Sequence, residues 1–364
     1  MKLEVNGVAY ENFTAASATL RLDALSNTFS FGAASVAGTP LPFKGGEACR
    51  VLVDGEEVLT GFIELVDVNY DELSHSILIS GRDKTADLLD SNISTLSDLR
   101  APISLKTVIE RIIAHLGVNI TVTDNASPAL FNAAEDLGAP EPGENAFEFI
   151  EGLARKRQVL LTSDSAGNVV ITQAAPTESK AALQNIIGAT DNNILTGSVS
   201  YDRTGRFNVY RFTATLNPVS LLSAGTTDLA ALVDQGDGIT DEDIREGRQL
   251  VLVAEAPSSK DQNSNRATWE ANVRRARGRV YSVTVLGYRQ GGFTGDLWAI
   301  NELITVKDEF AGINAQMLVN SVAFNFDEGG RTTTLSLVER DAYTLTLAEP
   351  EETKKVGGTF DLTA

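Results

Sequence analysis

Histidine and cysteine carry much of the nucleophilic and metal-binding chemistry near neutral pH, and this chain has three such residues: His75, His115 and Cys49. They are too few and too far apart for a zinc set. Cys49 lies between Glu47 and the run Val51-Leu52-Val53, which suits a small strand filler better than a nucleophile. His75 sits beside a β-turn. His115 falls at the edge of an apolar helical stripe with no carboxylate at helical spacing, so both read as structural or surface histidines. Counting alone does not exclude a Ser-His-Asp triad, but no Gly-x-Ser-x-Gly elbow marks its serine.

Asp234, Asp237, Asp241, Glu242 and Asp243 suggest calcium, yet the register fails. Counted from Asp234, Gly236 and Gly238 occupy ligand positions, and Arg245 stands where a bidentate Glu is needed. A solvated acidic loop is the expectation. Gly287, Gly291, Gly292 and Gly295 lack the Gly-x-Gly-x-x-Gly spacing and lie between strands, away from any helix N-terminus that could receive a phosphate. A glycosidase pair cannot be picked out from 49 acidic residues. No catalytic, cofactor-binding or metal residue is therefore assigned, which weighs towards a structural role.

The elements that would position any site are mostly strands. At 364 residues the chain exceeds the reach of a single core, so two to four subdomains are expected. Met1 leads straight into alternation, without the apolar stretch of a signal peptide, and no apolar run has the length of a membrane helix. The net charge of −19 argues against a protein that grips nucleic acid by its phosphates. It fits a self-repelling surface, or a wall past which nucleic acid slides.

Alternation at Ala18–Asp23, Val66–Tyr70 and Ile77–Ile79 makes residues 1–95 strand-rich, the extent of a first small β-barrel if the repeat described below is one, with Asp83 capping a short helix at 84–89. Residues 96–178 read as a small α/β module. Leu105, Val108, Ile109, Ile112, Ile113 and Leu116 form an amphipathic helix between Ser104 and Gly117, and a second helix starts at Asn145. A strand at 118–123 and a hairpin across 163–168 complete it. Residues 179–218 with 280–347 read as a second barrel, with strands at 194–201 and 206–215. Residues 219–279 read as an inserted loop and helix: 219–265 is irregular except for a strand at 250–253, and 261–277 is helical. The tail, 348–364, reads as extended or mobile. The fold class is mainly β with α+β insertions.

Two stretches repeat the same β-unit. Val51 to Asp83 and Ile304 to Asp341 each run strand, Asp, long alternating strand, polar turn, strand and Arg-Asp. Asp54 to Asp83 spans 29 residues and Asp308 to Asp341 spans 33. Either the chain carries a duplication, or two ordinary meanders look alike.

Two segments also match a known pattern. Ser80-Gly81-Arg82-Asp83-Lys84-Thr85-Ala86-Asp87-Leu88-Leu89-Asp90-Ser91 is one. The other comprises Leu297-Trp298-Ala299-Ile300-Asn301, Val306-Lys307-Asp308, Met317-Leu318-Val319 and Gly330-Arg331-Thr332-Thr333-Thr334-Leu335. The chain resembles the baseplate hub proteins of contractile-tailed phages of the Mu type, the tail protein P family. That resemblance implies a homotrimer with two barrels per subunit. The trimer would adapt the six-fold tail tube to the three-fold central spike and line a channel through which DNA passes. It implies a place in the virion's tail baseplate and carries no catalytic residues over. The alternatives are a tail-associated enzyme degrading cell wall or polysaccharide, and a β-rich carbohydrate-binding adhesin. Against the latter, Trp269 and Trp298 both sit in patterns that look buried.

Overall fold

The computed structural model describes residues 1–34, 44–71, 75–96, 99–132, 137–174, 177–213, 238–253 and 260–344. The C-terminal tail and most of the 219–265 excursion, Asp234 and Asp237 included, lie outside the described residues.

Strands dominate, as the alternation predicts. The first half contributes β1 (Lys2–Val5), β2 (Val8–Tyr10), β3 (Ala15–Arg21), β4 (Thr28–Ala34), β5 (Ala48–Val53), β6 (Glu56–Tyr70) and β7 (His75–Asp83). Next come helices α1 (Ala86–Asp90) and α2 (Leu105–Leu116), strand β8 (Val122–Asp124), helix α3 (Ala146–Lys156) and strands β9 (Leu160–Ser163) and β10 (Val169–Thr172). The second half has β11 (Thr177–Asn185), β12 (Ile194–Tyr201), β13 (Val209–Thr213), β14 (Ile239–Thr240), β15 (Gln249–Val253), helix α4 (Lys260–Gly278), β16 (Arg279–Leu286), β17 (Glu302–Asp308), β18 (Ile313–Asp327) and β19 (Gly330–Glu339).

The α/β module follows its sequence signals closely. Ser104 accepts the N–H of Thr107 at 3.1 Å, and Gly117 closes α2 in the left-handed region at φ 71°. Asn145 caps α3 by accepting from the N–H groups of Phe147 and Glu148. The buried faces of both helices pack over the three-stranded sheet β8-β10-β9.

Thirteen strands form one sheet rather than two separate ones, in the order β12-β16-β19-β18-β3-β4-β7-β6-β5-β1-β2, with β17 against β18 and β11 against β17. This order contains a repeat. In the first half the strands lie β3-β4-β7-β6-β5-β1; in the second, β12-β16-β19-β18-β17-β11. Numbered by appearance within each half, the two orders are identical. The sole change of direction is at the rim, where β11 runs parallel to β17 while β1 runs antiparallel to β5. Both long strands, β6 and β18, have 15 residues and carry a bulge at the same place, Glu64 and Asn320. Ordinary meanders do not share order, length and bulge, so the duplication stands. The halves join where β18 pairs with β3, and one apolar core runs through both.

Several expectations need correction. The Arg-Asp pairs are not equivalent: Arg82 faces Phe62, whereas its structural counterpart is Val338 facing Leu318. Arg340 and Asp341 lie past the end of β19, so the sequence match slid by two residues there. Asp83 is expected to cap a helix at 84–89; α1 instead starts at Ala86 behind Thr85, and Asp83 accepts only the N–H of Thr85 ahead of it, at 3.1 Å, as part of a buried network. Strand β11 precedes 194–201, the first strand expected in this half. The excursion holds β14 as well as β15, which sandwich β13 in a second small sheet.

Candidate assembly surface

The residues with chemical potential end up scattered. Cys49 is buried in β5, and burial pushes its thiol up to about 12, so it is not a thiolate nucleophile. His115, in the last turn of α2, lies 3.1 Å from Ser94 Oγ, while His75 opens β7. Among the described residues no three His, Cys, Asp or Glu side chains are placed to share a metal ion. The glycine-rich loop forms a tight turn in which a Cβ on Gly287 would lie 1.9 Å from Gly292 O.

Asp241 and Asp243 are not solvated. Arg206, itself fully buried, donates to both Asp241 oxygens at 2.9–3.0 Å and to Asp243 at 3.0 Å. Arg275 then bridges Asp243 at 3.1 Å and Glu339 at 2.7 Å, and Arg279 meets Glu339 at 3.1 Å. Asp241 and Asp243 of the expected acidic loop thus belong to one ion chain that links the inserted sheet through α4 to β19. It ties the insertion to the second half of the large sheet.

Asp83 does the same for the α/β module. Its buried carboxylate accepts from Ser26 Oγ at 3.0 Å, Asn27 N at 2.8 Å and Thr85, and from Ser163 Oγ on β9. Burial pushes its pKa up, against these hydrogen bonds that pull it down.

The large sheet shows one extended chemical pattern. Ser17, Ser30 and Ser80 stand opposite one another across β3, β4 and β7. Ser198, Ser282 and Ser336 do so across β12, β16 and β19. Thr196, Thr284 and Thr334, with Thr19 and Thr28 beyond Ala323, make a neighbouring row on that face. At its margin Arg21 is paired with Asp23 at 3.0 Å and Arg82 with Glu64 and Asp90. The opposite face carries the core. This sheet face is rich in small hydroxyl side chains, with Leu65, Leu78 and Leu286 exposed towards its margins.

Comparison with known proteins fits this arrangement. A family model of the N-terminal domain of the Mu phage baseplate assembly protein GpP-like matches residues 1–83. One of the second domain of the baseplate hub protein gp44-like matches residues 85–173, and one of the fourth domain of Mu phage baseplate assembly protein GpP matches 259–346. The crystal structure of the 43 kDa tail protein of prophage MuSo2 from Shewanella oneidensis is 30% identical, with a TM-score of 0.77 over 95% of this chain and 99% of that one. This chain belongs to the Mu-type baseplate hub family. Baseplate hub protein gp44 of Escherichia phage Mu is 25% identical over 360 residues, 98% of this chain and 92% of that protein. The tail protein from Neisseria meningitidis MC58 shares the fold, with a TM-score of 0.74 at 19% identity over 94% of this chain and 96% of that one. The family boundaries fall where the structure changes character: at the end of β7, at the end of β10 and at the start of α4.

Sequence reasoning found the repeat but missed the serine rows. They are visible only once strand register is known, because Ser17, Ser30 and Ser80 are unremarkable in isolation.

Proposed function

We propose that this hub-family protein is a non-enzymatic structural component of the tail baseplate of a contractile phage or phage-derived particle. In this reading three copies form a ring. Each copy presents its two equivalent halves to the six-fold tail tube and a single set of insertions to the three-fold spike. The observation that carries the reading is the repeated strand order with its matching bulges, since it gives one chain two nearly equivalent faces. The hydroxyl-lined sheet face is the natural lumen wall. A chain of net charge −19 offers DNA little to hold, so the duplex passes without specific binding.

Solution mass by analytical ultracentrifugation tests the ring. Trimers, alone or with a spike protein, are expected. Monomers under every condition would refute the reading. A trimer structure whose lumen is basic, or lined by the opposite sheet face, would remove the channel assignment. Release of sugars or peptides from purified cell wall would favour the degrading-enzyme alternative.

A further inference from the structure

A half-open cavity of about 180 Å³ lies where the two halves of the large sheet meet the α/β module. Leu20 of β3 and Phe324 of β18 bring the underside of the seam to it. Val58 comes from the start of β6, and Leu297 and Ile300 from the loop ahead of β17. The β9–β10 hairpin closes the remaining side with Ser163, Asp164 and the exposed Ser165. These walls are fixed in place. Gly167 of the hairpin comes so near the sheet that a Cβ there would lie 2.4 Å from Thr60 O, and Asn27 Nδ2 donates to Ser163 Oγ at 2.8 Å.

The polar side chains around the cavity have partners within the protein, with one exception. Asn27 Oδ1 accepts from Arg21 N at 2.9 Å. Glu57 accepts from Thr60 Oγ1 at 2.8 Å and from Arg50 at 3.2 Å, and Asp164 accepts from Asn168 N at 2.8 Å. Trp298 also lines the cavity and is 3% exposed, yet its Nε1–H has no hydrogen-bond partner among the described residues. A buried donor without an acceptor is costly, so the cavity suits a ligand that supplies an oxygen. That ligand is not an anion, because Glu57 and Asp164 both line the site. Each carboxylate has about four lone-pair sites and so retains capacity to accept further N–H groups. One waiting donor, two carboxylate acceptors and an apolar interior together match a peptide unit and its side chain. The volume agrees, since a cavity of about 150 Å³ holds a benzene-sized group.

We propose that this cavity is a socket for one leucine-sized side chain on an exposed loop of another protein. The loop's carbonyl oxygen accepts from Trp298 Nε1, and its N–H groups face Glu57 and Asp164. A side chain seated there touches both halves and the module at once, so binding holds the module against the sheet. The socket belongs to a single chain and does not depend on three copies forming a ring.

The test uses N-acetyl-leucinamide as the probe on the full chain. Trp269→Phe leaves Trp298 as the chain's one tryptophan, and a saturable change in its emission is expected at millimolar probe. The melting temperature of the parent chain should rise over the same range, a readout that needs no variant. N-acetylglycinamide lacks the side chain and should bind about tenfold more weakly or worse. N-acetyl-leucine, an anion, and isobutyl methyl ketone, which has no N–H, should both bind more weakly than the probe. Trp298→Phe should reduce the melting shift, and Ala299→Leu, which fills the cavity, should abolish it. No saturable response, equal binding of N-acetylglycinamide, or a shift that survives Ala299→Leu would overturn the socket. Tighter binding of the ketone would overturn the peptide as its occupant. None of these results bears on the ring reading, which solution mass tests separately.

Discussion

Ser17 and Asn325 are separated by 308 residues of sequence, yet the serine Oγ donates to the asparagine Oδ1 at 3.1 Å across the seam joining the two halves of the sheet. One residue further along β18, Phe324 is buried beneath the seam and meets the edge of the Tyr288 ring at 5.8 Å. The seam is held by this apolar underside more than by its polar surface. Phe324→Ala should cost about 3–5 kcal/mol, while Asn325→Ala should cost about 1 kcal/mol. Chemical denaturation of both variants checks the ratio. Equal losses would mean that the seam depends on its polar surface.

The same seam shows what the sequence could convey. Strands β6 and β18 were legible because their alternation runs long, and α2 and α3 because stripe and cap agree. Strand β11 was not legible: Thr-Glu-Ser-Lys-Ala-Ala-Leu-Gln-Asn has little β-branched or aromatic content, and it is a strand because β17 offers a parallel edge beside it. The ion chain was hidden for a related reason. Asp241 and Asp243 read as solvent-facing until Arg206 and Arg275 arrive from distant elements. The repeat itself was visible, but its alignment slid at Arg82-Asp83, because bulges fix register and sequence motifs do not.

Gly61 and Gly81 mark a close approach that the second half lacks, since their structural counterparts are Met317 and Leu337. A Cβ on Gly81 would lie 2.0 Å from Phe62 O and 2.6 Å from the Phe29 ring. Gly81→Ala must push β7 off β6 and is expected to destabilise by about 3 kcal/mol, the range of strained overpacking. The counterpart change Leu337→Ala creates a cavity instead, at a cost of about 2–5 kcal/mol. Thermal melting combined with hydrogen exchange separates the two. Gly81→Ala should raise exchange in β4, β6 and β7, and Leu337→Ala in β16, β18 and β19.

Asp83 ties β7 to β9 through Ser163, so its loss should loosen the α/β module from the sheet. Asp83→Ala leaves several buried donors without an acceptor and should cost about 3 kcal/mol or more. Ser163→Ala removes one bond to Asp83 and one accepted from Asn27 Nδ2 at 2.8 Å, and should cost about 1–2 kcal/mol. Limited proteolysis should then cut Asp83→Ala between β7 and α2 sooner than the parent chain. An unchanged cleavage pattern would show that apolar packing alone holds the module.

Glu302, at the start of β17, titrates unusually. Burial, with repulsion from Asp296, raises its pKa from 4.5 to about 6. The native state therefore binds a proton more tightly than the unfolded chain, and this group's contribution to stability falls as pH rises from 4.5 through 6. Glu302→Gln removes the charge while retaining a partner for Gln290 Nε2, which donates to Glu302 at 2.9 Å. The variant should be about 1 kcal/mol more stable than the parent at pH 7. It should equal the parent near pH 4, with a flatter profile between, and urea titrations at these pH values read the difference directly.

The ion chain offers the sharpest energetic test, because its first link is almost fully buried. Arg206→Met strands Asp241 without its guanidinium and should cost about 3–5 kcal/mol, as breaking one side of a buried pair does. Asp241→Leu strands Arg206 in turn, although Asp243 at 3.0 Å still supports it, so its cost should be smaller. The double variant removes both charges together and should recover at least about 2 kcal/mol of the summed single losses. Strictly additive losses in a denaturant double-mutant cycle would mean that the pair contributes no coupling. The insertion would then be held by Tyr210 and Phe212 against Ala267 and Ala271 of α4.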